Sequence, residues 1–196
     1  MFPDLIWTIP STDKVLYLTF DDGPTPQITE WVLDILRHYR ASATFFCVGK
    51  QVELHPQIYQ QIIEEGHGIG NHTQNHIKGW KSSTSEYIKE VSMASKFIDS
   101  KLFRPPYGQI TPKQVTALTS KGFEIVMWNI LSMDWEAKVS RQECTENVLH
   151  KASDGDIIVF HDSLKAADNM KYALAKVLDK FSEDGYDFRR IPVSGR

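Results

Sequence analysis

Two histidines four residues apart, His72 and His76 in the run His72-Thr73-Gln74-Asn75-His76, have a spacing suited to a metal. Residues at i and i+4 share one face of a helical turn, so the run is expected to form such a turn with both imidazoles aimed at one cation. A second polar pair, Asp21-Asp22, directly follows the apolar run 15–20 and precedes Gly23-Pro24, which turns the chain at once. Adjacent residues leaving a strand point different ways, so one carboxylate can hold a cation while the other works as a base. One carboxylate with two imidazoles suits Zn²⁺ or a similar first-row ion, and three protein ligands leave positions open for water and substrate. Such an ion lowers the pKa of bound water and polarises a carbonyl oxygen, which is the chemistry of hydrolysis.

Hydrolysis of an acyl group also needs a base for the attacking water and an acid for the leaving amine or alcohol. Asp21 and His161 are the candidates. His161 ends the apolar run Ile157-Ile158-Val159-Phe160, and a carboxylate such as Asp134 can keep its imidazole protonated as an acid requires. Arg104 opens the stiff sequence Arg104-Pro105-Pro106-Tyr107-Gly108, where paired prolines restrict the backbone and suit the guanidinium to orienting the base.

These residues need a scaffold, and hydrophobic periodicity supplies one. Short β-branched or aromatic runs alternate with stretches at helical spacing. The expected strand and helix pairs are 15–20 with 27–39, 44–48 with 52–65, and 68–71 with the two-histidine turn. Then come 102–103 with 112–121, 123–129 with 141–152, and 156–160 with 170–182, before a closing strand at 188–193. About seven strands alternating with helices imply parallel pairing with right-handed crossovers. Their near-continuous apolar character implies burial on both faces. The expectation is an α/β fold, a distorted (β/α)7-type barrel in one domain over residues 1–196, with the active site at the C-terminal ends of the strands. Asp21, Asp22, His72, Arg104, Asp134 and His161 all fall at or just past such ends, where parallel α/β folds gather their sites.

Bulk properties agree and exclude other classes. The chain has 196 residues, enough for one domain burying roughly 70% of the surface its unfolded form exposes. Asp and Glu number 25 against 22 Lys and Arg, with no basic run, so a nucleic-acid partner is not expected. Cys47 lies in an apolar run and reads as a small buried hydrophobe, and with Cys144 it makes no disulfide framework. No apolar stretch reaches the ~18 residues of a membrane span, and the start lacks a secretory signal. As written the chain is expected to be cytoplasmic, unless an export segment upstream of residues 2–7 has been removed.

The ordered motifs resemble those of the polysaccharide deacetylases of the NodB-homology type, carbohydrate esterase family 4. T-F-D-D-G-P is present as Thr19 to Pro24, H-[ST]-x-x-H as His72 to His76, and R-x-P-Y as Arg104 to Tyr107. The resemblance implies Asp22, His72 and His76 as ligands of a divalent metal, zinc before cobalt, nickel or manganese. It also implies Asp21 as base, His161 as acid, Arg104 orienting Asp21, Asp134 paired with His161, and the Tyr107 backbone N–H helping to stabilise the oxyanion. Two later motifs depart from the pattern. D-S-x-D-W appears as Leu131-Ser132-Met133-Asp134-Trp135, and L-x-x-H as Ile158-Val159-Phe160-His161. Leu131 bears on the groove beside Trp135 and hence on substrate preference. Trp80 and Trp135 offer faces for sugar stacking.

The implied activity is removal of N-acetyl groups from GlcNAc-type glycans such as chitooligosaccharides or peptidoglycan. The partner is then an acetylated glycan, met by a monomer. The competing readings are an O-acetyl xylan esterase, a small amide or cyclic-imide hydrolase on the same scaffold, and a non-catalytic glycan-binding protein.

Overall fold

The computed structural model describes residues 5–193. Its strands are β1 (Leu5–Ile6), β2 (Val15–Asp21), β3 (Thr44–Cys47), β4 (Gly68–Asn71), β5 (Leu102–Phe103), β6 (Glu124–Val126), β7 (Ile130–Leu131), β8 (Ile157–His161) and β9 (Asp187–Phe188). Its helices are α1 (Ile28–His38), α2 (Gly49–Leu54), α3 (Pro56–Glu64), α4 (Thr84–Ala94), α5 (Pro112–Thr119), α6 (Arg141–Leu149) and α7 (Ala167–Glu183). The strands run in the order β1-β6-β5-β4-β3-β2-β8-β7, with β9 beside β2, and every ladder between them is parallel. The result is the expected parallel barrel in the form of a curled half-barrel clad in helices.

All seven residues of β2 are buried, as a strand covered on both faces requires. It lies between β3 and β8, and Phe20 stacks on Phe45 and Phe160 with ring centroids 5.0 and 6.1 Å apart. The apolar stripe of α1, Ile28, Val32, Leu33 and Leu36, packs into the same core as Leu174, Val177 and Leu178 of α7. Register then aligns the polar strand ends. Asp21 pairs with His161 across β2 and β8, and Asn71, one residue before His72, pairs with Phe103, one residue before Arg104.

Several expectations need correction. The helix expected over 52–65 is two, α2 and α3, because Pro56 pushes His55 out of helical geometry (φ −131°, ψ 54°) and restarts the helix at its own first position. Among the described residues, nine strands replace about seven. The expected strand 123–129 stops at Val126, after which the chain crosses the seam of the half-barrel and changes partners. Met127 N–H donates to Ile6 O, and Asn129 N–H donates to Ile157 O at the foot of β8. The closing strand shrinks to β9, since Ile191 N–H is taken by the Thr44 side chain and Pro192 brings no N–H. Helix α4 was not foreseen, because only Tyr87, Val91 and Ala94 are buried along it. Leu5 and Ile6, within a stretch read as the place of a removed segment, form β1 beside β6, while residues 1–4 lie outside the described residues. Cys47 and Cys144 are both buried and free. Among the described residues no helix is long and apolar enough to cross a membrane.

Candidate metal and proton-transfer site

The two-histidine turn is not helical. It is a loop between β4 and the 3-10 turn Gly79–Lys81, with Thr73 and His76 both left-handed (φ 66° and 54°). Its geometry is set by its neighbours. His72 N–H donates to Cys47 O, Gly49 N–H to Thr73 O and Lys50 N–H to Gln74 O, so the loop is sewn to the β3–α2 connection. The Asn71 side chain accepts from Thr73 N–H at 2.9 Å, which competes with helical pairing. The imidazoles nonetheless converge, with ring centroids 5.0 Å apart.

Asp22 completes the cluster. Its backbone is left-handed (φ 85°), and its Oδ1 lies 3.1 Å from His76 Nε2 and 3.8 Å from His72 Nε2. One ligand atom from each of the three residues falls within 4.8 Å of the others. The chemistry of this donor set fits a cation. Asp22 Oδ1 is buried without a hydrogen-bond partner in good geometry, an unfavourable state unless a positive centre sits beside it. Burial alone would raise the Asp22 carboxyl, but the neighbouring His76, His72 and His161 rings outweigh it and hold the group at about 2. Burial pushes His72 down to about 4, so its ring is neutral. The Nδ1–H donates to Arg104 O at 2.7 Å, which leaves the Nε2 lone pair facing Asp22 and His76.

The second half of the site is more deeply buried. Arg104 is fully buried, and its Nη1 donates to Asp21 Oδ1 at 2.8 Å and Thr19 Oγ1 at 2.7 Å. Its Nη2 reaches Met127 O at 2.9 Å, and the guanidinium lies 4.1 Å over the Phe46 ring. Fork geometry and ring stacking are what arginine offers and lysine does not. Thr19 Oγ1–H in turn donates to Ile158 O, so the network is anchored on β8.

His161 faces the same mouth. Its Nδ1 lies 2.8 Å from Asp134 Oδ1, and its backbone N–H donates to Asp134 Oδ2 at 2.8 Å. Burial disfavours the imidazolium, but the Asp134 hydrogen bond and charge, with Asp21 and Asp22 beyond, outweigh it and raise the ring to about 9. His161 is therefore a cation at neutral pH, with Nε2–H as its free donor.

Around these groups lie the aromatic candidates. Trp135 meets His161 edge to face at 4.6 Å, so it frames that imidazole. The Tyr107 ring lies 4.6 Å from His76, its backbone is left-handed (φ 59°), and Lys78 Nζ lies over the same ring, 4.5 Å from its centroid. Trp80 stands further out. It is 67% exposed, with its indole N–H fixed on Ile110 O. Leu131, the departure in the fourth motif, ends β7. The sequence reading missed Thr19 as a partner of Arg104, Phe46 as its floor, and Asp162 behind the acidic turn. Thr19 and Asp162 are polar residues beside or within apolar strand runs, and that was the signal available.

With the geometry in place, four likenesses bear on it. Residues 8–126 match the family described as polysaccharide deacetylase. The chain is 36% identical over 189 residues to a peptidoglycan-N-acetylglucosamine deacetylase of Bacillus cereus, covering 93% of this chain and 88% of the relative. It is 34% identical over 161 residues to a chitooligosaccharide deacetylase of Azorhizobium caulinodans, covering 79% of this chain and 76% of the relative. A crystal structure of a peptidoglycan N-acetylglucosamine deacetylase in complex with 4-naphthalen-1-yl-N-oxidanyl-benzamide superposes with a TM-score of 0.90 at 32% identity, covering 96% of this chain and 91% of that one.

Proposed function

The chain belongs to the polysaccharide deacetylase family, and on that premise we propose that it hydrolyses N-acetyl groups from GlcNAc-containing glycans of the peptidoglycan or chitooligosaccharide type, releasing acetate. The observation that carries this reading is the meeting of a three-residue metal-ligand cluster with two separately buried proton-transfer pairs at one mouth of the half-barrel.

Asp22, His72 and His76 hold a divalent ion, and their one-carboxylate, two-imidazole set favours Zn²⁺, with Co²⁺, Ni²⁺ or Mn²⁺ able to substitute. When bound, the ion supplies Lewis acidity toward the acetyl carbonyl and a lowered pKa for water. Asp21 takes the proton from the attacking water at a carboxylate oxygen. Arg104 fixes the position of that carboxylate, with its remaining donors held by Thr19 and Met127 O. His161 gives its Nε2 proton to the leaving amine, and Asp134 holds its Nδ1–H and stabilises the charge beforehand. The Tyr107 backbone N–H serves the developing oxyanion; one such donor is worth ~3 kcal/mol in well-studied hydrolases. Trp135 shapes the site around the acid, and Trp80 offers an outer stacking face for the glycan.

Acetate release from N-acetylated chitooligosaccharides, with chelator and then with added Zn²⁺ or Co²⁺, tests the proposal. Release that vanishes with chelator and returns with metal is expected. No release from any N-acetylated glycan with metal bound would overturn it.

A further inference from the structure

Asp162 has no part in the chemistry above, yet it is a fully buried carboxyl directly after His161. Successive residues at a strand end face opposite ways, so the end of β8 presents His161 to the mouth and Asp162 to the rear of the acidic turn. There Asp162 Oδ1 accepts from Gly23 N–H at 3.0 Å and Oδ2 accepts from Thr29 Oγ1–H at 2.5 Å. Its own backbone N–H donates to Asp21 O at 3.2 Å. One residue thus grips both sides of Asp22, whose left-handed backbone is strained for a side chain and persists only if its surroundings over-determine it. Thr29 carries the grip onward, because its Oγ1 accepts from Thr25 N–H at 2.7 Å at the entry to α1.

Gly23 fits the same picture. Its backbone does not take a left-handed φ, so conformational freedom does not demand glycine here. Space does, since a Cβ at this position would lie 2.0 Å from Asp162 Oδ2. The acidic turn and Asp162 are matched parts.

We propose that Asp162 is a positioning residue that sets the metal-binding conformation of Asp22 through Gly23 and Thr29. The inference rests on Asp22 being a metal ligand. It names a role for a residue outside both the ligand set and the proton-transfer pairs. Its two oxygens hold Gly23 N–H and the Thr29 hydroxyl at once, and an amide of the same shape keeps the Gly23 contact through its one oxygen.

The test is metal affinity by competition with a chromogenic chelator, using Zn²⁺ as the probe, on the full chain and its Asp162→Ala, Asp162→Asn, Gly23→Ala and Gly23→Ala/Asp162→Ala variants. Asp162→Ala is expected to weaken Zn²⁺ binding about 10- to 100-fold, the range for groups that orient metal ligands. Asp162→Asn should recover part of that loss. Gly23→Ala alone should weaken binding, and truncating Asp162 beneath the new methyl should leave the double variant no worse than Asp162→Ala, a non-additive outcome expected of coupled residues. If Asp162→Ala does not fold, the Asn and Gly23→Ala variants carry the comparison. Folded Asp162 variants with unchanged Zn²⁺ affinity would overturn the proposal, as would additive losses at Gly23 and Asp162. Asp22→Ala runs alongside. If it retains Zn²⁺ the ligand assignment fails, whereas loss there with no effect at Asp162 sinks the positioning role alone.

Discussion

The two halves of the site are built on opposite principles. The half with Asp22, His72 and His76 sits on loops, with left-handed residues at Asp22, Thr73 and His76 and a buried carboxylate oxygen left without a good partner. In the half with Asp21, Arg104, Asp134 and His161, Asp21 and His161 end β2 and β8, Arg104 directly follows β5 and Asp134 lies on the turn beyond β7, with the charges paired at 2.8 Å and the donors largely spent on the protein. One half is complete without a ligand. The other is satisfied only by a cation, so affinity for metal and stability of the fold are expected to separate in variants of the two halves.

Arg104→Leu gives the largest expected effect on the paired half. It strands the Asp21 carboxylate in a buried position, and a loss of ~3–5 kcal/mol of stability in urea unfolding is expected. Arg104→Lys should recover only part, because one ammonium cannot reach Asp21, Thr19 and Met127 O together. A cost below ~1 kcal/mol for Arg104→Leu would mean that this half is not preorganised by the pair.

His76→Ala is the converse. The ring is partly exposed, so stability should change by about 1 kcal/mol or less, while Zn²⁺ affinity falls by more than ~100-fold and acetate release with it. Unchanged affinity would remove His76 from the ligand set.

Asp134→Asn sharpens the contrast through pH. His161 is raised to about 9 in the folded chain against an ordinary value near ~6.5. Its pairing with Asp134 therefore stabilises the fold fully below about 6.5, and that contribution is lost as pH rises through about 9. In the variant, the high-pH limb of acetate release and this decline in stability should both move toward lower pH. An NMR titration of His161 that still ends near 9 in Asp134→Asn would contradict the pairing.

Trp80→Ala carries the smallest expected effect. Loss of one outer stacking face should cost about 1 kcal/mol, seen as a roughly fivefold rise in KM for longer oligosaccharides with kcat unchanged. An equal rise for the shortest substrate would place Trp80 at the reacting sugar.

The same contrast explains what could be read from sequence. Strand-end chemistry was legible because β2 and β8 are buried on both faces, so Asp21 and His161 stand out where long apolar runs stop. Register then brings them side by side, as alternation of strands and helices implies. The loop half was legible in residue types but not in shape. The spacing of His72 and His76 suggested a helical turn, yet Asn71 and the β3–α2 connection capture the backbone first. Hydrogen bonds made by residues far apart in sequence decide that contest, and no local pattern reports them. Asp162 stands out only as a polar residue after an apolar run, and its role is illegible because its partners Gly23 and Thr29 lie more than a hundred residues away. Helix α4 did carry a signal, the Ser83 and Glu86 capping box, which outlasted its weak apolar periodicity.

The division of labour between Asp21 and Asp22 is the centre of the account, and metal content tests it most directly. Asp21→Asn and Asp22→Asn, purified, loaded with Zn²⁺ and dialysed, are compared by metal analysis. Asp21→Asn is expected to keep about one ion per chain while losing acetate release, and Asp22→Asn to keep almost none. Metal lost from Asp21→Asn, or retained in full by Asp22→Asn, would contradict it.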